Sequence, residues 1–167
     1  MRRFAFLPAA LLLAALLLTF VAAPAAAQPA IAEAQVRAFV AGQEAAWNKG
    51  ELDRYFAAFT PDARFTDQAY AGDQPPVLYG TSRLPEARVQ ARKAFAKVWP
   101  REAGQVTRVQ VAADGRSARV VSRVTTTVET EGKVRRLCAY RGQALVLQGG
   151  RLLSNGHTDT FFKCANR

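Results

Sequence analysis

The chain carries one histidine, His157, and Asp159 follows it two residues later. Both lie in a stretch that alternates as a β-strand does, where side chains two apart share a face. A carboxylate near an imidazole can orient the ring and raise its pKa, so His157 and Asp159 form a candidate acid/base couple. The plainer alternative is a histidine that hydrogen-bonds at a cavity mouth or at the surface. Asp67 is a second candidate. It follows Phe65 on another alternating stretch, so the two share a face. A carboxylate facing an apolar cavity is pushed up in pKa by desolvation and can act as a base near neutrality. Its alternative is to cap a strand end or to pair with a nearby arginine.

The same residues exclude other chemistry. With one histidine, two cysteines and no cysteine cluster, a zinc site is not expected. Cys138 and Cys164 are not a CxxC pair, which argues against a thiol oxidoreductase. In an oxidising compartment they read as a disulfide closing a loop of about 26 residues, worth roughly 3 kcal/mol. No metal and no cofactor are expected.

Residues 1–27 read as a signal peptide. Arg2 and Arg3 precede an apolar run from Leu7 to Val21, and Ala25-Ala26-Ala27 fits the small-residue cleavage rule. The expectation is a periplasmic or secreted protein with no stable membrane anchor after cleavage. The mature chain, residues 28–167, has 167 − 27 = 140 residues, the size of one ordinary domain. Its charge is (23 − 2) − 13 = +8. That balance favours anionic surroundings, and the alternative is a solvated basic surface with no specific partner. Small basic clusters occur at Arg88, Arg92, Lys93, Lys97 and at Lys133, Arg135, Arg136. No nucleic-acid-binding motif accompanies them, so nucleic acid is not an expected partner. Arg136 and Arg141 could supply charge to an anionic ligand, and the plainer reading places both as surface arginines.

Periodicity supplies the elements that must position these groups. Ile31 to Lys49 is helical, with Val36, Phe39, Val40 and Trp47 along one face and Gln43 within that stripe. Gly50 ends it. A shorter helix runs from Glu51 to Phe59, stopped by Pro61, and a third from Pro85 to Trp99. Ala63 to Gln68 and Val77 to Tyr79 are short strands. A meander follows over Val106–Ala112, Ala118–Val128, Val134–Leu147 and Arg151–Lys163, with turns at Asp114-Gly115, Glu131-Gly132 and Gly149-Gly150. The pattern is α+β, with helices on one face of an antiparallel sheet.

The stretch from Ala46 through Asp67 carries Trp47-Asn48-Lys49-Gly50 at a helix end, Glu51-Leu52-Asp53 at a helix start, and Asp62-Ala63-Arg64-Phe65-Thr66-Asp67 on a strand. It resembles the opening of the nuclear transport factor 2-like superfamily, which includes ketosteroid isomerases and polyketide cyclases of the SnoaL-like kind. The later meander with His157-Thr158-Asp159 is also similar. The resemblance implies a cystatin-like cone, with three N-terminal helices packed on a strongly curved antiparallel sheet around a cavity. It places Asp67 where the isomerases carry their proton-shuttling carboxylate. It places Gln43 where they carry the tyrosine of their oxyanion hole, and an amide is no acidic phenol. Gln43, Trp47 and Tyr140 are then candidate ligand contacts. Tyr140 depends on register. A two-residue turn at Gly149-Gly150 with regular pairing puts Tyr140 opposite Asp159 but leaves Cys164 on the wrong face for Cys138. A bulge, such as one at Asn155-Gly156, brings the cysteines together and moves Tyr140 away.

The expected function is an exported, pocketed module that binds a small apolar or anionic ligand, or a protein, without catalysis. The alternative is a cofactor-independent isomerase, cyclase or dehydratase with Asp67 as base and His157 and Asp159 as acid and orienter. It requires Asp67, Gln43 and His157 to converge on one cavity. A further alternative is a basic adaptor for an anionic envelope component. A homodimer through an exposed sheet face bearing Val120, Val124, Val128 and Leu145 is allowed by their apolar character.

Overall fold

The computed structural model describes residues 30–165; the expected signal peptide lies outside the described residues. Two helices come first, α1 (Glu33–Asn48) and α2 (Leu52–Phe56). Gly50 separates them at a φ of +69°, and a Cβ there would press on the Trp99 ring at 3.1 Å, so the turn requires glycine. Strands β1 (Phe59–Ala69) and β2 (Val77–Arg83) form a hairpin. Helix α3 (Leu84–Phe95) carries Pro85 in its first turn, and the Glu86 carboxylate accepts a hydrogen bond from the Arg83 backbone N–H, closing its start. Four strands complete the chain, β3 (Arg101–Val111), β4 (Ser117–Thr130), β5 (Lys133–Gln148) and β6 (Arg151–Phe162).

The six strands form one sheet in the order β2-β1-β6-β5-β4-β3. Two features differ from the cystatin-like cone expected from the sequence. The sheet is mixed, because the meander returns β6 to the side of β1 and the two run parallel. The sheet is also not strongly curled. A physical reason is visible in the middle of the sheet, where β4 and β5 pair from Ser117 to Thr130 without one register shift. Sharp curvature needs bulges, and the irregularities lie outside that central pair, in β1, β2, β3 and β6.

Alternation puts Val120 and Leu145 on the helix-covered face, where they pack with Ile31 and Val36; Val124 is buried on the same face. Three of the four residues expected on an exposed dimer face are therefore core, because even-numbered positions of β4 point toward α1. Val128 is half-buried. A second apolar cluster joins Ala46, Tyr55, Phe56, Phe59 and Phe65 with Ala91 of α3.

One bulge settles the register of β5 on β6. Leu145 faces Ser154, but Gln143 faces His157, so β6 spends one extra residue at Asn155-Gly156. Gly156 has a φ of +110°, and a Cβ on it would collide with the Arg64 backbone. The shift sets Cys138 opposite Phe162, within diagonal reach of Cys164, and the two form a disulfide with their Cα atoms 5.4 Å apart. It also sets Tyr140 opposite Thr160.

Candidate functional site

A cavity of about 280 Å³ opens between the helices and the covered face of the sheet. Its walls are aromatic and small: Trp47, Tyr55, Phe56, Phe65 and Phe161, with Ala87, Ala91 and Ala94 from α3. The ring of Trp47 tilts against Tyr55 at 5.0 Å and meets Phe95 edge-on at 4.9 Å. These contacts fix the wall before any ligand arrives.

Arg141 lies at the polar end. It stands opposite Asp159 in the β5–β6 register, and Glu102 reaches it from β3. Nε and Nη2 donate to the two oxygens of Asp159, both at 2.8 Å, while Nη1 and Nη2 donate to Glu102 at 2.7 and 3.0 Å. Side-chain exposures of 13%, 8% and 9% for Arg141, Glu102 and Asp159 make this a buried triad. Burial opposes the Arg141 cation, but the charges of Glu102 and Asp159 outweigh it and hold the guanidinium protonated. Burial likewise pushes the Asp159 carboxyl up, and Arg141 outweighs that and holds it below its ordinary value. Paired geometry of this kind is what lets ions remain charged away from water.

His157 sits beside the triad, with Nε2 3.9 Å from Asp159 Oδ2 and its ring edge-on to Phe65 at 5.0 Å. The shared face predicted from period two is present. The raised pKa is not: burial, then the Arg141 charge, depress the imidazole to about 4. His157 is therefore neutral at pH 7, and Asp159 spends its charge on Arg141. Nδ1 of His157 is buried and has no hydrogen-bond partner; the same holds for Nε1 of Trp47.

Asp67 occupies the mouth. It lies level with Asp159 across the parallel β1–β6 pair and opposite Gly80 of β2. Asp67 is exposed as a residue and makes no hydrogen bond or ion pair among the described residues. Partial burial of the carboxyl, then repulsion from Asp159, raises its pKa, as the sequence reading expected.

The other nominees part company with this group. Trp47 lines the cavity. Gln43 is buried, but its Oε1 accepts from Gln143 Nε2 at 3.0 Å in a separate crevice, so it does not converge with Asp67 and His157. Tyr140 points from the helix-free face, exposed and stacked on Phe162 at 4.7 Å. The bulge at Asn155-Gly156 explains its removal from the site. Arg141, read from sequence as a surface arginine, is the centre of the site. The missed signal is parity: Leu137, Ala139, Arg141, Gln143 and Leu145 share one face of β5, and the apolar members mark it as the inner one. Among the described residues no cluster of His, Cys, Asp and Glu is arranged to hold a metal ion.

No family model matches the chain, and no curated protein matches it in sequence. Solved structures do match. A ketosteroid isomerase-like protein from Erwinia carotovora atroseptica is 17% identical, with a TM-score of 0.59 over 78% of this chain and 96% of that one. An NTF-2 like protein of unknown function from Shewanella oneidensis is 13% identical, with a TM-score of 0.55 over 75% and 95%. This chain has the nuclear transport factor 2-like fold. The beta subunit of benzoate 1,2-dioxygenase from Burkholderia mallei shares that fold at 12% identity and a TM-score of 0.58, covering 80% of this chain and 93% of that one. Identities this low establish the nuclear transport factor 2-like architecture alone. Because proteins of such different description use it, function has to be argued from the site.

Proposed function

We propose that this is an exported ligand-binding module whose cavity takes a small, mainly apolar, ring-bearing molecule that is neutral or cationic. The observation that carries the reading is the saturation of Arg141 by Glu102 and Asp159 through four hydrogen bonds. Among the described residues, the one buried cation facing the cavity is already neutralised, and Asp67 adds an unpaired carboxylate at the mouth. An anion gains nothing there, whereas aromatic walls with a few polar groups suit an apolar ligand. An amine near Trp47 and Asp67 would gain cation–π and ionic contacts together. Trp47 Nε1 and His157 Nδ1 are buried polar atoms for which a ligand would supply the missing partners. The Cys138–Cys164 disulfide supports export, since such bonds persist in oxidising compartments.

Native mass spectrometry of the mature protein, before and after denaturation, tests this. A retained molecule of the stated class supports the reading. Tighter binding of carboxylates or phosphates than of matched neutral compounds, with Arg141 intact, would overturn it.

The convergence of Asp67, Gln43 and His157 first required of an enzyme is not met, because Gln43 lies in another crevice. A second reading does without Gln43 and rests on Asp67, an unpaired carboxylate of raised pKa in a cavity that also holds a neutral imidazole. In a cofactor-independent isomerase, cyclase or dehydratase, Asp67 would remove a proton next to a carbonyl, and a ring N–H of Trp47 or His157 would donate to the developing oxyanion. Turnover of the bound ligand that vanishes in Asp67→Asn while binding persists would select this reading. Equal, zero turnover in both forms would discard it.

A further inference from the structure

The helix-free face of the sheet carries a different kind of surface. Outward positions of β1, β3, β4 and β5 bear Arg64, Arg108, Arg119, Arg123 and Arg136, all exposed and none in an ion pair among the described residues. Arg108 pairs in register with Val121, between Arg119 and Arg123, so three cations crowd two adjacent strands. Arg64 stands directly opposite Arg83 across the β1–β2 pair, an arrangement of like charges that disfavours the isolated sheet. Between Arg119 and Thr127 the outward positions of β4, and the β5 residues facing them, hold no carboxylate. The nearest acids are marginal: Asp62 precedes Arg64 before regular pairing with β6 begins, and Glu129 lies at the far end of β4. Three of the four helical arginines, by contrast, are ion-paired, in Glu33–Arg37, Glu51–Arg54 and Asp53–Arg92, and the fourth, Arg88, lies over the Phe56 ring.

This face is not smooth. One depression of about 470 Å³ lies between Arg64 and Arg119, floored by Gly142, Gly156, Thr66 and Thr158. Another of about 500 Å³ lies between Arg123 and Arg136, with Thr125 and Thr127 in its wall. No Phe, Tyr or Trp lines either depression, and the aromatic pair on this face, Tyr140 stacked on Phe162, lies beside Arg123.

We propose that this face binds an acidic polysaccharide, a hydroxyl-rich chain bearing carboxylate or sulfate groups, laid across both depressions. Arginine forks pair with such anions in a bidentate way. Threonine hydroxyls and exposed backbone match sugar hydroxyls. Single-stranded nucleic acid is disfavoured because its bases stack on a succession of open rings, and this face offers one exposed pair, Tyr140 on Phe162, with Arg123 already over the Phe162 ring. A bilayer is disfavoured because a flat lipid surface does not enter concave sites. A second copy of the same face would set five arginines against five. The surface lies on the opposite side of the sheet from the cavity, so it stands or falls independently of the ligand proposed there.

The test uses the full mature protein against immobilised heparin and polygalacturonate, with oligo-dT and phosphatidylglycerol vesicles as competing probes. The expected result is saturable binding to one or both glycans that weakens steeply with salt. The triple variant R108Q/R119Q/R123Q should lose roughly tenfold to a hundredfold in affinity. A control, K49Q/K93Q/K97Q, makes the same change in net charge on the helical side and should bind as wild type; circular dichroism confirms that both fold. Equal losses in the two triples, glycan binding unchanged in the arginine triple, or preference for oligo-dT or vesicles over both glycans would each overturn the proposal.

Discussion

Replacing Arg141 by Met isolates the energetics of the buried triad. Methionine keeps much of the side-chain volume but removes four charge-assisted hydrogen bonds, leaving Glu102 and Asp159 facing each other with under a tenth of either side chain exposed. Breaking a buried ion pair by deleting one partner costs about 3–5 kcal/mol, and here both carboxylates lose the same cation. For a domain of this size that corresponds to a fall in Tm on the order of 10–15 °C. The loss should depend on pH in a defined direction. With the cation gone, burial and mutual repulsion raise the folded-state pKa of at least one carboxyl above its unfolded value. The folded variant then holds a proton that the unfolded chain does not, so its stability improves as pH falls toward that unfolded value. Urea unfolding of wild type and variant at pH 7.5 and pH 5 measures both effects. The gap should be large at the higher pH and smaller at the lower. A second variant, R141M/E102Q/D159N, should recover most of the stability, because no unpaired charge remains. A gap below about 1 kcal/mol at pH 7.5, or one that does not change with pH, would refute the assignment of Arg141 as the charge on which the interior depends.

Other consequences are separately measurable. His157, held at about 4 by burial when folded, is protonated more readily in the unfolded chain, so wild type should lose stability relative to His157→Asn as pH falls from the unfolded value of 6.5 toward 4. The expected loss is about 3 kcal/mol, read from urea midpoints across that window, and parallel pH profiles would contradict the burial of the ring. Gly156→Ala should destabilise by more than about 2 kcal/mol in the same assay, because alanine is strained at the positive φ and its Cβ collides with the Arg64 backbone. Replacing Cys138 and Cys164 by Ser together should cost about 3 kcal/mol, since the bridge closes 26 residues; an unchanged midpoint would show that it does not constrain the unfolded chain.

The order and type of the elements were legible because turn residues and periodicity are local. Gly50, Asp114-Gly115 and Gly149-Gly150 end their elements where the sequence says they should. The bulge was half legible: the cysteine pair demanded one, and Asn155-Gly156 offered the only tolerant backbone nearby. What stayed hidden depends on which strands become neighbours. Parallel pairing of β1 with β6 cannot be read from a hairpin pattern, and with it goes the flatter, mixed sheet that replaces the expected cone. Glu102 and Arg141, 39 residues apart, meet because β3 and β5 flank β4 and both side chains face its inner side. Residue type misled as well. Arginine is so often a surface residue that the parity of β5, which alone pointed Arg141 inward, was outweighed. Valines at positions 120 and 124 looked like a dimer face until α1 was found lying over them.

The position of β6 between β1 and β5 has a consequence for how the chain reaches its native state. β6 is the last of the six strands in chain order, yet it occupies an interior slot, with β1 on one side and β5 on the other. Until β1 pairs with it, the β1–β2 hairpin and the β3–β4–β5–β6 meander are separate pieces joined by α3, each with an unpaired edge. Their docking joins segments about 92 residues apart, such as Phe65 with His157 and Asp67 with Asp159, and such non-local closure is slow compared with hairpin formation. The cavity therefore does not exist in partly folded forms; it appears with the final step that also buries Arg141. The folding chain passes through an open-edged stage, during which both exposed strand edges are available to any neighbouring copy.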